Sequence, residues 1–442
     1  MNIHAQKNPP SLLPILGAWV PLALMWMMMA VEQPGIAAVV ARMSQAKLQL
    51  AAFGTTFSIA LFVEGPIVQM LAASTAVANN RENYQRLMAL MHLLGFSATA
   101  IHGFLCIPSI YTPFAQELLG LPIALLEPSR KALLAMLPWT ISIGYRRLWQ
   151  GLLIRGSQTK VIPITMLARL LATFAVLFWG FHDGRLEGAI LGGLSLSAGV
   201  IAGALTAYFY AKPIIQSLPK ANETTSPPMA WSAMVAFYIP LALTNFLNLG
   251  VRPIMQMGLA RGFMPIESLA LWPVQMGYIF LFTAFSLSSQ EVVIAKLNDA
   301  SDQKVLVRFS SYLALGLTLL YGLIAATPLW RLWFGHVSGL DSQLLEMAQT
   351  PLLFAIPLIP ASAFISLLRG ALVRQKRTKD VTWGVAVNVT VLLLLLFGGV
   401  SIIQTPAVNT MAAAFTLAAL AELTFLFLRH PLMKMPHENV SK

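Results

Sequence analysis

The chain has 442 residues, of which 57% are hydrophobic and only 10% charged, and its mean hydropathy is +0.71. That is too few charges to solvate a globular surface of this size, so composition excludes a soluble enzyme and points to a polytopic membrane protein. The formal net charge of +12 is read as loop asymmetry across a membrane and not as a nucleic-acid surface.

About 20 apolar residues cross a bilayer as a helix. On that rule the sequence predicts twelve spans, near 11–31, 50–75, 88–110, 131–152, 160–181, 188–211, 229–252, 269–292, 309–330, 350–368, 381–403 and 408–428. The first is expected to be a retained span and not a signal peptide, because no small-residue cleavage site follows it. With the N-terminus placed in the cytoplasm, most of the 29 Lys and Arg fall in cytoplasmic loops and tails. Both termini are therefore expected there. RQKRTK at 374–379 is a positive-inside anchor on this reading.

An offset of 219 residues lays Pro21-Leu22-Ala23-Leu24 on Pro240-Leu241-Ala242-Leu243, Pro34 on Pro253, and Ala41-Arg42 on Ala260-Arg261. More than a hundred residues later the same offset equates Gly151, Leu153, Arg155, Thr159 and Lys160 with Gly370, Leu372, Arg374, Thr378 and Lys379. One offset serving two distant segments is an internal duplication. The expected architecture is all-α: two six-helix lobes, 1–211 and 229–442, joined by a cytoplasmic linker over 212–228. Because six is even, the lobes enter the membrane in the same direction and are related by a pseudo-two-fold axis along its normal, with substrate between them.

Charges at membrane depth are costly, so each should face protein or water and find a partner. The candidates are Glu32, Glu64, Arg169, Arg252 and Glu422. In the seventh span Asn245, Asn248 and Arg252 recur at i, i+3 and i+7, with Gln256 continuing the stripe, as on a helix face turned to an aqueous cavity. Pro253 follows Arg252 and Pro34 follows Glu32-Gln33, and each removes a backbone donor, so both helices are expected to bend there. Matching proline breaks in two halves point to a binding site, with snorkelling of Glu32 and Arg252 at the interface as the bland alternative. The offset also pairs Arg169 with Asn388, each polar in an oily helix. A guanidinium there could hold an anion or serve a structural pair with Glu64 or Glu422. Arg146, Arg147 and Arg369, near span ends, are expected to anchor lipid headgroups, with an electropositive vestibule as the second reading. His92 and His102 are expected to be packed. Cys106 stands alone in its span, which leaves no disulfide framework. The Gly, Ala and Ser of AILGGLSLSAGVIAGAL (189–205) predict close helix packing. There is no phosphate-binding loop and no clustered metal-ligand motif, so no cofactor, metal or enzymatic activity is expected.

EQPGIAAV (32–39), the Gly-Pro at 65–66, RPI (252–254), Arg261, QGLLIR (150–155) and Ala421-Glu422 resemble the progressive ankylosis protein family. With the multidrug and toxic compound extrusion (MATE) transporters and polysaccharide flippases it belongs to the MOP superfamily of two-lobed, twelve-span carriers. The resemblance implies export of phosphate- or carboxylate-rich anions, such as pyrophosphate, nucleotides or citrate, by alternating access. The chain departs from the animal members in carrying Pro34-Gly35 directly after Glu32-Gln33, and its short loops look bacterial.

The expected function is thus secondary transport of a small anion. Arg252, Arg169, Gln33, Asn245, Asn248 and Asn388 would bind it, Glu32, Glu64 and Glu422 would couple it to a proton or sodium, and Pro34 and Pro253 would act as hinges. Two alternatives are a proton- or sodium-coupled multidrug exporter, whose cavity the acids would dominate, and a flippase for lipid-linked oligosaccharides. The partners foreseen are a small anion, membrane lipid and a coupling ion, with no nucleic acid.

Overall fold

In the computed structural model the described residues are 12–220, 228–297, 300–375, 377–402 and 404–429; the side chains of Thr244, Leu247, Asn248, Ala300, Val400 and Ser401 also lie outside the description. Most of the expected linker, 221–227, falls outside it too. The described residues are helical and contain no strand. In chain order the helices are α1 (Leu13–Val40), α2 (Ala46–Val68), α3 (Met70–Val77), α4 (Arg81–Leu105), α5 (Pro108–Pro113), α6 (Ile123–Ala135), α7 (Leu137–Arg155), α8 (Ile162–Asp183) and α9 (Gly188–Ser217). They continue with α10 (Trp231–Arg261), α11 (Pro265–Lys296), α12 (Ala300–Ala326), α13 (Leu329–Arg331), α14 (Ser342–Phe354), α15 (Leu358–Arg374), α16 (Thr378–Ile402) and α17 (Ala407–Arg429).

Every predicted span falls on one of these helices or on a broken pair. Among the described residues nine are long and apolar enough to cross a bilayer, or ten if α14 and α15, bent by 46°, count as one. The protein is an all-α, multi-pass membrane protein. The fourth predicted span is not a single helix, because α6 gives way to α7 at Met136 and Pro138 opens α7 in its first turn. Helix ends carry recognisable signals: Asn80 caps α4 by accepting from the Asn83 N–H at 2.8 Å, and Gly184 closes α8 with a φ of 68°.

The helices are oily on the outside. On α8, Leu167, Leu171 and Phe178 are exposed while Thr165 and Thr173 on the opposite face are buried. That inversion of the soluble pattern suits a solvent of hydrocarbon.

Packing divides the chain into two compact units. One comprises residues 1–31, 275–337 and 342–442, and the other 32–274 and 338–341. The first has a core of Ile15, Val292, Val293, Leu306, Phe309 and Leu367. A core of the second is built from Met70, Leu87, Leu148, Leu152, Met234 and Tyr238. These units are defined by packing and the repeat halves by sequence, and the partitions differ in their assignment of the start of α1, of α10 with the start of α11, and of residues 338–341. Helices α1 and α11 each pass from one unit to the other, at Val31–Glu32 and Val274–Gln275. Both crossings lie within a turn of a proline, Pro34 or Pro273.

Within the 32–274 unit, Gly54 of α2 meets Pro273 of α11 so closely that a Cβ on residue 54 would fall 2.8 Å from the proline ring. The 219-residue offset equates these two positions.

Candidate anion site

Proline 66 cannot donate to a preceding carbonyl, and α2 ends two residues later, before α3 begins at Met70. The carbonyls of Gly65 and Pro66 are satisfied from α10 instead. Asn245 donates its Nδ2 to Gly65 O at 2.7 Å, and Tyr238 its hydroxyl to Pro66 O at 2.6 Å. Further along, Gln256 donates to the Ser58 hydroxyl at 3.1 Å. The polar stripe predicted on this helix therefore exists, but much of it fastens α10 to α2. Arg252 stands on the same stripe between Asn245 and Gln256, is exposed, and has no hydrogen-bond partner among the described residues. Asn248 lies on α10 with its side chain outside the description. Both Pro34 and Pro253 sit inside helices that continue past them, so the expected breaks are absent from the helical assignment.

Beside the α2 break the 32–274 unit gathers its buried charges. Glu32 on α1, 4% exposed, receives two hydrogen bonds from the Arg169 guanidinium of α8: one from Nε to Oε1 at 2.9 Å and a shorter one from Nη2 to Oε2. The Thr173 hydroxyl donates to Oε1 at 3.1 Å. This is the fork geometry in which arginine and carboxylate are matched. Small residues on α9 bring it together. A Cβ on Gly199 would fall 2.0 Å from the Thr173 hydroxyl, and one on Gly203 3.2 Å from Arg146 Cδ, so α8 and the arginine stem can lie directly against the α9 backbone.

Glu64 on α2 is 2% exposed and its Oε2 has no partner. Among the described residues no lysine, arginine or histidine nitrogen lies within 4.0 Å of this carboxylate. Yet Arg147, Arg146, Arg169 and Arg252 all act on it electrostatically. Arg146 is 1% exposed; among the described residues its one hydrogen-bond contact is from Nη1 to the Met166 sulfur at 3.9 Å, and its Nε is unsatisfied. The half-buried Arg147 also has an unsatisfied Nε. Gln150, one turn beyond Arg146, donates to the Thr165 hydroxyl at 2.9 Å.

These facts correct the lipid-anchor expectation for α7. A guanidinium 1% exposed cannot lie among headgroups, and Arg146 is part of the interior. Neither it nor Arg147 was among the charges expected at membrane depth, although an electropositive vestibule was the second reading for both. A buried cation without a counter-ion is expensive, and such an arrangement marks a working site more often than a structural one. Four guanidiniums and two carboxylates can hold an anion through charge-assisted hydrogen bonds.

The other unit arranges its charges differently. Arg369 on α15, also expected at the headgroups, donates its Nε to Glu422 Oε1 on α17 at 2.7 Å, with Nη2 closer still, and Asn388 on α16 donates to Oε2 at 3.0 Å. Asn388 and Glu422, predicted in different roles, are thus partners. Gln33 is half-buried beside Glu32. His102 is packed, with its ring nitrogens 2.7 Å from the Thr140 hydroxyl and 2.9 Å from Leu133 O.

The sequence matches no family model and no curated protein. Solved structures do match over nearly the whole chain. An inward-facing multidrug resistance MATE family transporter of the MOP superfamily aligns with a TM-score of 0.64 at 10% identity, covering 97% of this chain and 100% of that one. The chain has the fold of these transporters. A MOP superfamily transporter from Pyrococcus furiosus, described as having a binding pocket of reverse polarity that suggests a different function, aligns at 0.64 and 12% identity over 95% and 96% of the two chains. The lipid II flippase MurJ in an inward closed conformation aligns at 0.64 and 15%, over 93% and 87%.

Proposed function

We propose that this protein is a secondary transporter that moves an anion across the membrane, with the arginine cluster of the 32–274 unit as its binding site. The observation that carries the reading is Arg146, a guanidinium in the interior to which no carboxylate is bound among the described residues. Arg147 and Arg252, equally without acidic partners among the described residues, share its electrostatic surroundings around Glu64. A cation would meet a net positive field there, and Glu32, one of the acids on which the multidrug-exporter alternative depends, is already held by Arg169. Among proteins of this fold a pocket of reversed polarity has a precedent in the Pyrococcus furiosus transporter.

In this reading the chain is a bacterial inner-membrane member of the progressive ankylosis family, its termini cytoplasmic and its repeat halves 1–211 and 229–442 working by alternating access. Arg252 contributes to substrate binding and Arg169, Gln33, Asn245 and Asn248 to the site or the walls around it, whereas Asn388, foreseen beside them, is engaged by Glu422 in the other unit. Glu64, whose Oε2 is unpartnered, is the best placed of Glu32, Glu64 and Glu422 to exchange a proton or coordinate sodium. Pro34 and Pro253 let their helices flex, since the carbonyls one turn earlier have no amide to hold them.

Flux through proteoliposomes tests this. Uptake of pyrophosphate or citrate that Arg252→Ala lowers at least tenfold, with folding retained by thermal unfolding, is the expected result. Transport of cationic dyes that persists in Arg252→Ala and is lost in Glu32→Gln would overturn it in favour of a multidrug exporter.

A further inference from the structure

The 219-residue offset that equates Arg42 with Arg261 also equates Gly120 with Gly339. In the structure each arginine lies on the glycine of the other repeat half. A Cβ on Gly339 would fall 2.8 Å from Arg42 Nη1 and 3.0 Å from its Cζ, and one on Gly120 would fall 2.9 Å from Arg261 Cγ and 3.1 Å from its Nε. All four residues belong to the unit formed by 32–274 and 338–341. The backbone repeats as well: a π-helical turn precedes each glycine, at Phe114–Leu118 and Leu332–Val337, and the glycines have φ of 73° and 70°. Glycine takes that left-handed conformation at little cost, and its missing side chain leaves room for the arginine. On the first loop the contact is also hydrogen-bonded, since Arg261 Nη2 donates to Leu118 O at 2.8 Å and to Glu117 O at 3.2 Å. Carbonyls at the end of a helical turn lack intrahelical donors and favour a cation. Arg42 Nη1, the atom nearest Gly339, donates to Ala38 O of its own helix.

We infer that the two contacts form a crossed clasp that holds the repeat halves together at one face of the membrane and is released when that face opens. With the termini in the cytoplasm, the face is the outer one. The inference rests on the chain being a transporter and not on the sign of its substrate. Both contacts join one half to the other, so neither is needed to fold a half. Both arginines are exposed, and exposed charged contacts are individually weak because water can replace them. Opening the clasp therefore strands no buried charge, unlike opening the pair of Glu32 and Arg169. Between the same halves, Gly54 packs on Pro273 and Gln256 donates to the Ser58 hydroxyl at 3.1 Å. The arginines thus add an exchangeable rim to a packed seam.

Pulsed dipolar spectroscopy on the full chain in lipid nanodiscs tests the clasp without needing a substrate. Spin labels go on Gln116→Cys and Phe263→Cys, exposed positions near the two sides of the Arg261 contact, with Cys106→Ser removing the native thiol. Arg42→Gln combined with Arg261→Gln is expected to raise the longer-distance population roughly fivefold or more, and each single variant should raise it less. Gly120→Ala, which sets a methyl group against the Arg261 stem and strains the loop, should act like Arg261→Gln while keeping every charge. Thermal unfolding of all variants should stay close to that of the wild type. An unchanged distance distribution in the double variant, or a double variant that fails to fold, would overturn the clasp. Wild-type anion flux in proteoliposomes alongside unchanged distances would leave transport standing without it. Longer distances with no flux of any substrate would remove the transport reading, and with it the role given to the clasp.

Discussion

In the unit formed by residues 1–31, 275–337 and 342–442, a single buried glutamate has all its needs met: Arg369 holds one oxygen of Glu422 and Asn388 the other. In the 32–274 unit, Glu32 is held as firmly by Arg169 and Thr173, but Glu64 and Arg146, about as buried, are left without strong partners. The contrast separates two uses of charge at membrane depth. A closed set of hydrogen bonds gives a specific packing and can do little else, because every lone pair and proton is engaged. An open set keeps free energy in reserve for a ligand, at a cost in stability that only function explains.

The largest effect should come from opening the closed set. Glu422→Ala removes the acceptor of both Arg369 and Asn388 and leaves a partly buried guanidinium uncompensated. Breaking a buried pair in this way costs about 3–5 kcal/mol. Because the Arg369 side chain keeps 26% of its surface exposed, the lower end of that range is expected. Denaturant unfolding in detergent measures it. The double variant Glu422→Leu with Arg369→Met should recover most of the loss, since matched apolar groups replace an ion pair with little penalty. If Glu422→Ala unfolds like the wild type, the contrast between the units is lost.

An intermediate effect of opposite sign is expected from the open set. Arg146→Met removes a buried charge that has no counter-ion among the described residues and should stabilise the ligand-free protein by roughly 1–4 kcal/mol, the range found when buried ion pairs give way to apolar side chains. The same variant should bind no sulfate. Added anion should raise the melting temperature of the wild type and not that of the variant, because only a ligand bound to the folded state shifts unfolding. A destabilised Arg146→Met would mean that the arginine supports the fold.

The pattern of oily spans and the single repeat offset made the all-α membrane architecture readable from the sequence, because hydropathy over about 20 residues is a strong signal. The buried acids were readable for the same reason: Glu32, Glu64 and Glu422 interrupt apolar runs. Their partners were not. Arg169 reaches Glu32 across 137 positions and Arg369 reaches Glu422 across 53, and no periodicity links residues on different helices. Arg146 was hidden by its place near the end of an apolar window, where arginines usually snorkel. A finer signal lay in GYRRLWQG itself, where Arg146 and Gln150 are four apart on one helical face, a polar pair that lipid would not tolerate. The stripe on α10 was found, but its division of labour was not, because a helix face shows which residues point together and not which neighbour takes them up.

That division supplies the smallest test. Tyr238, Asn245 and Arg252 lie seven residues apart on α10, and the first donates its hydroxyl to Pro66 O at 2.6 Å, beside the α2 break. Tyr238→Phe keeps the ring in its place in the core and removes only this donor, so it should cost about 0.5–1.5 kcal/mol of stability, the net worth of one hydrogen bond. The hydroxyl touches no member of the charge cluster, and sulfate affinity should therefore stay within twofold of wild type when titrated under the same conditions. Loss of affinity comparable with that of an arginine variant would show that the seam between α2 and α10 and the site behind it are one structure, and that the fastening and binding roles assigned along α10 cannot be separated.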